Sequence, residues 1–383
     1  MLAQVTRWSA VNSGTGNLAG LANMAELLAD AFSALPGEIA LVEPAPAERV
    51  EADGRVASVE HGRHLRLSVR PDAPVRMLFT GHMDTVYPAD HPFQQVTDRG
   101  DGILHGPGTA DMKGGLAVML AALRAVEASP LAGRIGYDVM INSDEETGSL
   151  SSAPLIEELA RGKVAALTYE PALPDGTLAG ARGGTGNFSI VVEGRAAHAG
   201  RNPEEGRNAL VAAADLTVRL AAAKSAGLTV NPARIDGGGP NNVVPAHVVL
   251  RVNFRPIDSD AIERTRAAID RAVAEVAREH EVSVQVHGSF NRPPKPVDSG
   301  AAALFSLAGE AGAALGIPIS TRATGGVCDG NNIAAAGVPV IDTMGVRGGA
   351  IHSPDEFMIT DSLPERAALS AVTVLRIAER GGL

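Results

Sequence analysis

Five short segments of the 383-residue chain set His, Asp or Glu beside turn-forming residues. They are Gly81-His82-Met83-Asp84, Gly108-Thr109-Ala110-Asp111-Met112-Lys113-Gly114-Gly115, Asp144-Glu145-Glu146-Thr147-Gly148, Tyr169-Glu170-Pro171 and Ala350-Ile351-His352-Ser353-Pro354-Asp355-Glu356. Two imidazoles and several carboxylates form a donor set suited to a pair of zinc ions that share one carboxylate, the chemistry of water activation for hydrolysis. In His82-x-Asp84 the two side chains point the same way at a strand end, so one can bind metal while the other orients it. Asp111 lies among glycines, which let backbone approach a ligand closely. Glu145 and Glu146 are neighbours whose side chains diverge. One can bind a metal and the other can hold the attacking water as general base. Lys113, a cation, is expected to be a structural or electrostatic partner.

Singly, each segment has an ordinary explanation: a surface turn, a helix N-cap, a solvated acidic turn, a loop histidine. Order and stoichiometry favour a joint reading. His82, Asp111 and Glu170 would complete one three-ligand site, and Asp111, Glu146 and His352 another, each leaving the open position that catalytic zinc keeps.

The elements that must position these residues are legible from hydrophobic periodicity. Residues 18–36 read as a helix with Asn17 as N-cap, 75–80 as a strand running into His82, and 111–128 as a helix. Residues 135–141 and 164–168 read as strands ending just before Asp144 and Glu170. The candidate ligands before residue 180 therefore follow strands or precede helices, where sites form in open α/β sheets. From about residue 181 the order becomes strand 188–193, helix 208–223, strands 229–236 and 248–255, helix 259–278 and strand 282–288. That β-α-β-β-α-β order is the ferredoxin-like arrangement. A proline-rich hinge follows, Asn291-Arg292-Pro293-Pro294-Lys295-Pro296, and then alternating α/β resumes. The expectation is a discontinuous α/β catalytic domain with a mixed sheet and flanking helices, 1–180 and 290–383, carrying an inserted α+β domain, 181–289.

A net charge of −11 makes nucleic acid and anionic membranes poor partners. No apolar run of membrane-spanning length and no secretory signal are apparent, and the single Cys328 rules out an internal disulfide. A cytoplasmic enzyme is expected.

With these segments assembled, nearly the whole chain resembles the two-zinc metallopeptidase family of bacterial glutamate carboxypeptidases, aminoacylases, acetylornithine deacetylase and succinyl-diaminopimelate desuccinylase, nearest the glutamate carboxypeptidase branch. The resemblance implies two Zn²⁺ per chain, with Co²⁺ or Mn²⁺ as substitutes, held by His82, bridging Asp111, Glu146, Glu170 and His352. It makes Glu145 the general base and Asp84 the partner of His82, and it implies a cis peptide between Asp111 and Met112. It makes the inserted domain a dimerisation domain. In Ala196-Ala197-His198-Ala199-Gly200 it gives His198 the task of reaching into the partner subunit of a homodimer. Arg182, Asn242 and Arg292 match positions that grip a substrate carboxylate. Glu170, where aminopeptidases of the family tend to carry Asp, favours cleavage beside a carboxylate. Cys328 departs from the family's usual Ser or Thr and is expected to be a small buried residue. The implied activity is hydrolysis of an amide next to a free carboxylate in a small peptide or N-acyl amino acid. The alternatives are an N-acyl amino acid deacylase or desuccinylase and a non-catalytic binder of amino-acid derivatives.

Overall fold

A computed structural model describes residues 1–383. Its centre is a six-stranded mixed sheet in the order Glu38–Val42, His64–Val69, Ile135–Asn142, Val75–His82, Ala165–Thr168, Val340–Ile341. Val75–His82 is parallel to both of its neighbours, and the register sets His82 opposite Asn142 and Thr80 opposite Thr168. Three consecutive parallel strands thus end at one edge, and the chain leaves them at His82, at the Asp144 turn and at Glu170.

Ile135–Asn142 is buried along its whole length, as a strand covered on both faces must be. Along Val75–His82, alternate side chains divide between the two layers. Val75, Met77 and Phe79 join the large core formed with the helices Leu18–Phe32, Gly114–Glu127, Ser299–Leu315 and Ser362–Arg380. Leu78 faces the helices Ala153–Ala160 and Asp329–Ala335. Gly115 packs so close to the strand exit that a Cβ there would lie 2.0 Å from the Tyr169 carbonyl oxygen. No helix is long and apolar enough to cross a membrane.

The second unit is a four-stranded antiparallel sheet in the order Leu228–Gly237, His247–Pro256, Thr185–Glu193, Ser283–Arg292. Helices Ala209–Ala222 and Ser259–His280 pack on it around Phe188, Phe254 and Phe290. The chain order is the expected β-α-β-β-α-β.

Three boundaries differ from the sequence reading. The Leu18 helix ends at Phe32. The helix expected from residue 111 starts at Gly114, because Asp111 and Met112 are non-helical and the peptide between them is cis. The last strand of the inserted sheet runs on to Arg292, so part of the expected hinge is sheet.

Candidate metal centre

Each candidate ligand is delivered by the end of a regular element, and the spacing among them comes from the sheet register. His82 closes its strand with a fully buried ring. Its Nδ1 lies 3.0 Å from the Asp84 carbonyl oxygen, which can only accept, so Nδ1 carries the hydrogen. In the neutral ring Nε2 is then an acceptor, and it faces Asp111 Oδ1 at 3.0 Å and Glu170 Oε2 at 3.8 Å. Acceptors brought this close in a buried site need a cation or a proton between them. On the other side, His352 Nε2 lies 3.3 Å from Asp111 Oδ2 and 3.2 Å from Glu146 Oε2. The two oxygens of Asp111 therefore face two different imidazoles.

Ligand atoms of His82, Asp111 and Glu146 gather within 4.8 Å of one another, and so do those of His82, Glu145 and Glu170. The residues fit a divalent metal pair by donor chemistry, burial and the acceptor-to-acceptor contact at His82. The Glu145 carboxylate, expected as the general base, stands among the candidate ligands.

The electrostatics express the same crowding. Burial pushes the carboxyls of Glu145 and Glu170 up and takes Glu146 to about 7, with Asp111 adding to the rise in Glu146. Burial works against the charged form of His82, but hydrogen bonds with Asp111, Asp84 and Glu170 outweigh it and its net shift is well upward. Hydrogen bonds with Asp111 and Glu146 raise His352 to about 11. The cluster holds protons where it would otherwise hold cations.

The supporting contacts explain how loops keep this geometry. Asp84 Oδ1 and Oδ2 accept the backbone N–H groups of Glu145 and Glu146, both at 3.2 Å, while Thr15 donates to Oδ2 at 2.7 Å. Asp84 thus holds the Glu145–Glu146 turn as well as His82. Glu356, four residues after His352, supports the Asp111 turn. Its Oε1 accepts the N–H groups of Ala110 and Asp111, both at 3.0 Å, and its Oε2 accepts from Tyr87 at 3.0 Å. A glutamate four residues after His352 was the only signal for it in the sequence. Lys113 is buried and donates to the Val11 carbonyl at 2.8 Å, a structural contact.

A cleft of about 280 Å³ opens onto Asp111, Glu145, Glu170 and His352. Arg182 lines it, bonded through Nε and Nη2 to Asp342 at 2.7 and 3.1 Å. Burial pushes the Cys328 thiol well up, and the side chain borders the same cleft. Arg292 is not in the cleft wall. Its Nη2 donates to the Glu145 carbonyl at 3.0 Å and to Ser149 Oγ at 2.8 Å, and Asp329 lies 3.5 Å away. His198 and Asn242 are exposed on the inserted unit, side by side through an Ala199 N–H to Asn242 carbonyl bond of 2.9 Å. Neither belongs to the cleft of its own chain. Asp329 and Asp342, which tie these arginines down, carried no signal in the sequence, because their partners are distant in the chain.

The model of peptidase family M20/M25/M40 matches residues 78–376. Carboxypeptidase G2 of Pseudomonas sp. (strain RS-16) is 31% identical over 311 residues, covering 78% of this chain and 73% of that protein. Succinyl-diaminopimelate desuccinylase of Pseudoalteromonas translucida is 29% identical over 318 residues, covering 74% of this chain and 79% of the other. Among solved structures, a tripeptidase from Staphylococcus aureus superposes with a TM-score of 0.75 at 24% identity, over 99% of this chain and 98% of that one, a likeness of fold. With the family match running from the strand that delivers His82 to the last helix, the chain belongs to the M20/M25/M40 peptidase family and is a metal-dependent hydrolase.

Proposed function

We propose that this hydrolase cleaves an amide bond next to a free carboxylate, releasing an amino acid from a small peptide or N-acyl substrate. The observation that carries the reading is the placement of Glu145 and Arg182 in one cleft together with the candidate ligands Asp111, Glu170 and His352. A carboxylate among metal donors serves as a base, and a guanidinium is the side chain shaped for carboxylate recognition. The 31% identity with carboxypeptidase G2 supports the same reading.

We assign metal binding to His82, Asp111, Glu146, Glu170 and His352, with Asp111 shared. Two zinc ions, when bound there, supply Lewis acidity for the water and the carbonyl. Glu145 takes the proton of the attacking water on its carboxylate and returns it to the leaving nitrogen, which breaks the C–N bond. Arg182 orients the carboxylate of the released amino acid. Asp84 keeps Nδ1 of His82 protonated and the Glu145 turn in place.

His198 and Asn242 act from a second copy of the chain. They are exposed, adjacent and outside their own cleft. The inserted unit also presents an unpartnered apolar stripe, Leu210, Val211 and Val218, on helix Ala209–Ala222, next to the edge strand that carries exposed Ile235. Apolar faces of this kind mark association surfaces.

The likeness to a desuccinylase favours one second reading, in which the amide carries a dicarboxylic acyl group. The test is a substrate panel with zinc-loaded protein: N-acyl and peptidyl amino acids, their C-terminal amides, and N-succinyl amines. Turnover confined to substrates with a free carboxylate on the amine side supports the proposal. Turnover of N-succinyl amines that lack it would overturn the proposal in favour of the second reading.

A further inference from the structure

His352 sits in the connection between two short paired strands, Gly348–Gly349 and Phe357–Ile359. Its backbone is left-handed, with φ 61°, and so is that of Ala350, with φ 52°. A residue with a Cβ occupies that region at a cost, so its surroundings must hold it there. The imidazole does little of the holding. It is 54% exposed, and its polar neighbours are the Asp111 and Glu146 carboxylates that it would join at a metal.

The connection is held instead from below, by Glu356 and Tyr87. The Glu356 N–H donates to the Ser353 carbonyl at 3.1 Å, which closes the turn after His352, and the Glu356 carbonyl accepts from the Gly106 N–H at 3.2 Å. The buried carboxylate of Glu356 holds the N–H groups of Ala110 and Asp111. The Tyr87 hydroxyl lies 2.8 Å from the Ser353 carbonyl and 3.0 Å from Glu356 Oε2, so it touches both ends of the turn. Tyr87 itself follows the strand end that delivers His82. Three segments bearing candidate ligands, those of His82, Asp111 and His352, thus meet at one carboxylate.

The segments do not depend on it equally. The Asp111 turn is buried and has ties of its own, from Thr109 Oγ1 to the Gly106 carbonyl and from the Lys113 N–H to the Gly108 carbonyl, both at 2.8 Å. The His352 connection has a bond from Ser353 Oγ to the Ala350 carbonyl at 2.7 Å, which lies within the connection and anchors it to nothing else. Loss of the clamp therefore falls on His352 first.

We infer that Glu356 is a positioning residue for His352. With Tyr87 it keeps the connection in its left-handed form, and so it assembles the donor group of Asp111, Glu146 and His352. This rests on the assignment of those three residues as metal donors. Both oxygens of Glu356 are engaged by N–H and O–H groups, so it acts through the loop.

The test follows zinc and the loop separately. Zinc binding to dialysed wild type and to Glu356→Ala, Glu356→Gln, Tyr87→Phe and His352→Ala is measured by calorimetry, with bound zinc counted by atomic emission. Glu356→Ala is expected to weaken one of the two ions about 10- to 100-fold, the usual cost of removing a group that supports a metal ligand, and to leave the other nearly unchanged. Tyr87→Phe should act in the same direction to a lesser degree, and it carries the test if Glu356→Ala fails to fold. Glu356→Gln should recover most of the loss, because an amide oxygen still accepts the two N–H groups. On a His352→Ala background, Glu356→Ala should add nothing, since the residue it acts through is gone. Equal weakening of both ions, or a full further loss on that background, would overturn the proposal. Hydrogen exchange in the zinc-free proteins reads the loop directly. Segment 350–356 should exchange faster in Glu356→Ala and Tyr87→Phe than in wild type, and unchanged exchange overturns the proposal as well. If His352→Ala keeps both ions, the donor assignment fails, and hydrogen exchange alone then decides whether Glu356 positions the loop.

Discussion

Arg292 Nη2 lies 2.7 Å from Glu145 Oε1, although the two residues come from different units of the fold. Arg292 ends the last strand of the inserted sheet, and Glu145 begins the turn after a central strand. Oε1 is buried and meets no hydrogen-bond geometry, so the contact is one of charge rather than an aligned bond. Burial raises the Glu145 carboxyl and the guanidinium opposes that rise. Arg292→Ala is expected to lower kcat roughly ten- to hundredfold on substrates with and without a free carboxylate. It should also move the acid limb of the pH–rate profile upward. A rise in KM restricted to carboxylate-bearing substrates, with kcat preserved, would show instead that Arg292 grips the substrate.

The shared position of Asp111 predicts an all-or-none loss. Asp111→Ala should carry neither metal ion, whereas Glu170→Ala and Glu146→Ala should each weaken one. Metal content after dialysis, measured by atomic emission, checks this. A full complement in Asp111→Ala contradicts the bridging assignment.

Metal and protons compete for the same atoms. Glu146 is raised to about 7 by burial, and Glu145 and Glu170 are raised by burial too. His82 and His352 hold their protons through their carboxylate partners. Zinc binding must displace these protons, so affinity should fall as pH drops from about 8 to about 6. Calorimetry in buffers of different ionisation enthalpy should report proton release on binding. Affinity that does not change with pH would mean the ligands are already deprotonated in the metal-free protein.

Glu145→Gln keeps the shape of the side chain and loses its basicity. Turnover should fall roughly 10²–10⁴-fold with metal content and substrate binding retained. Near-normal turnover in this variant would remove Glu145 from the proton path.

A dimer that shares His198 predicts complementation. His198→Ala and Glu145→Gln chains, each inactive alone, should recover part of the activity when mixed, because one of the two sites in the mixed dimer is intact. Subunit exchange is verified by mass. An inactive mixture after proven exchange means that His198 does not act across an interface.

The sequence by itself determined the family, the order of elements and the inventory of donors. Strand exits at His82, Asp144 and Glu170 are local events, marked by a change from apolar period to turn residues, and the ferredoxin-like order of the inserted unit follows from periodicity alone. Tertiary structure decided which donors meet. That Asp111 turns one oxygen to His82 and the other to His352 depends on a turn and a loop 241 residues apart in number, brought together by Glu356 and Tyr87. Arg182 and Arg292 read alike in the sequence, as free cations suited to a carboxylate. The fold gave the first Asp342 and a place in the cleft, and the second Glu145 and a place behind it. Local pattern records what a segment can form, but a charge acquires its role from the partners that packing brings within a few ångströms, and those partners lie far away along the chain.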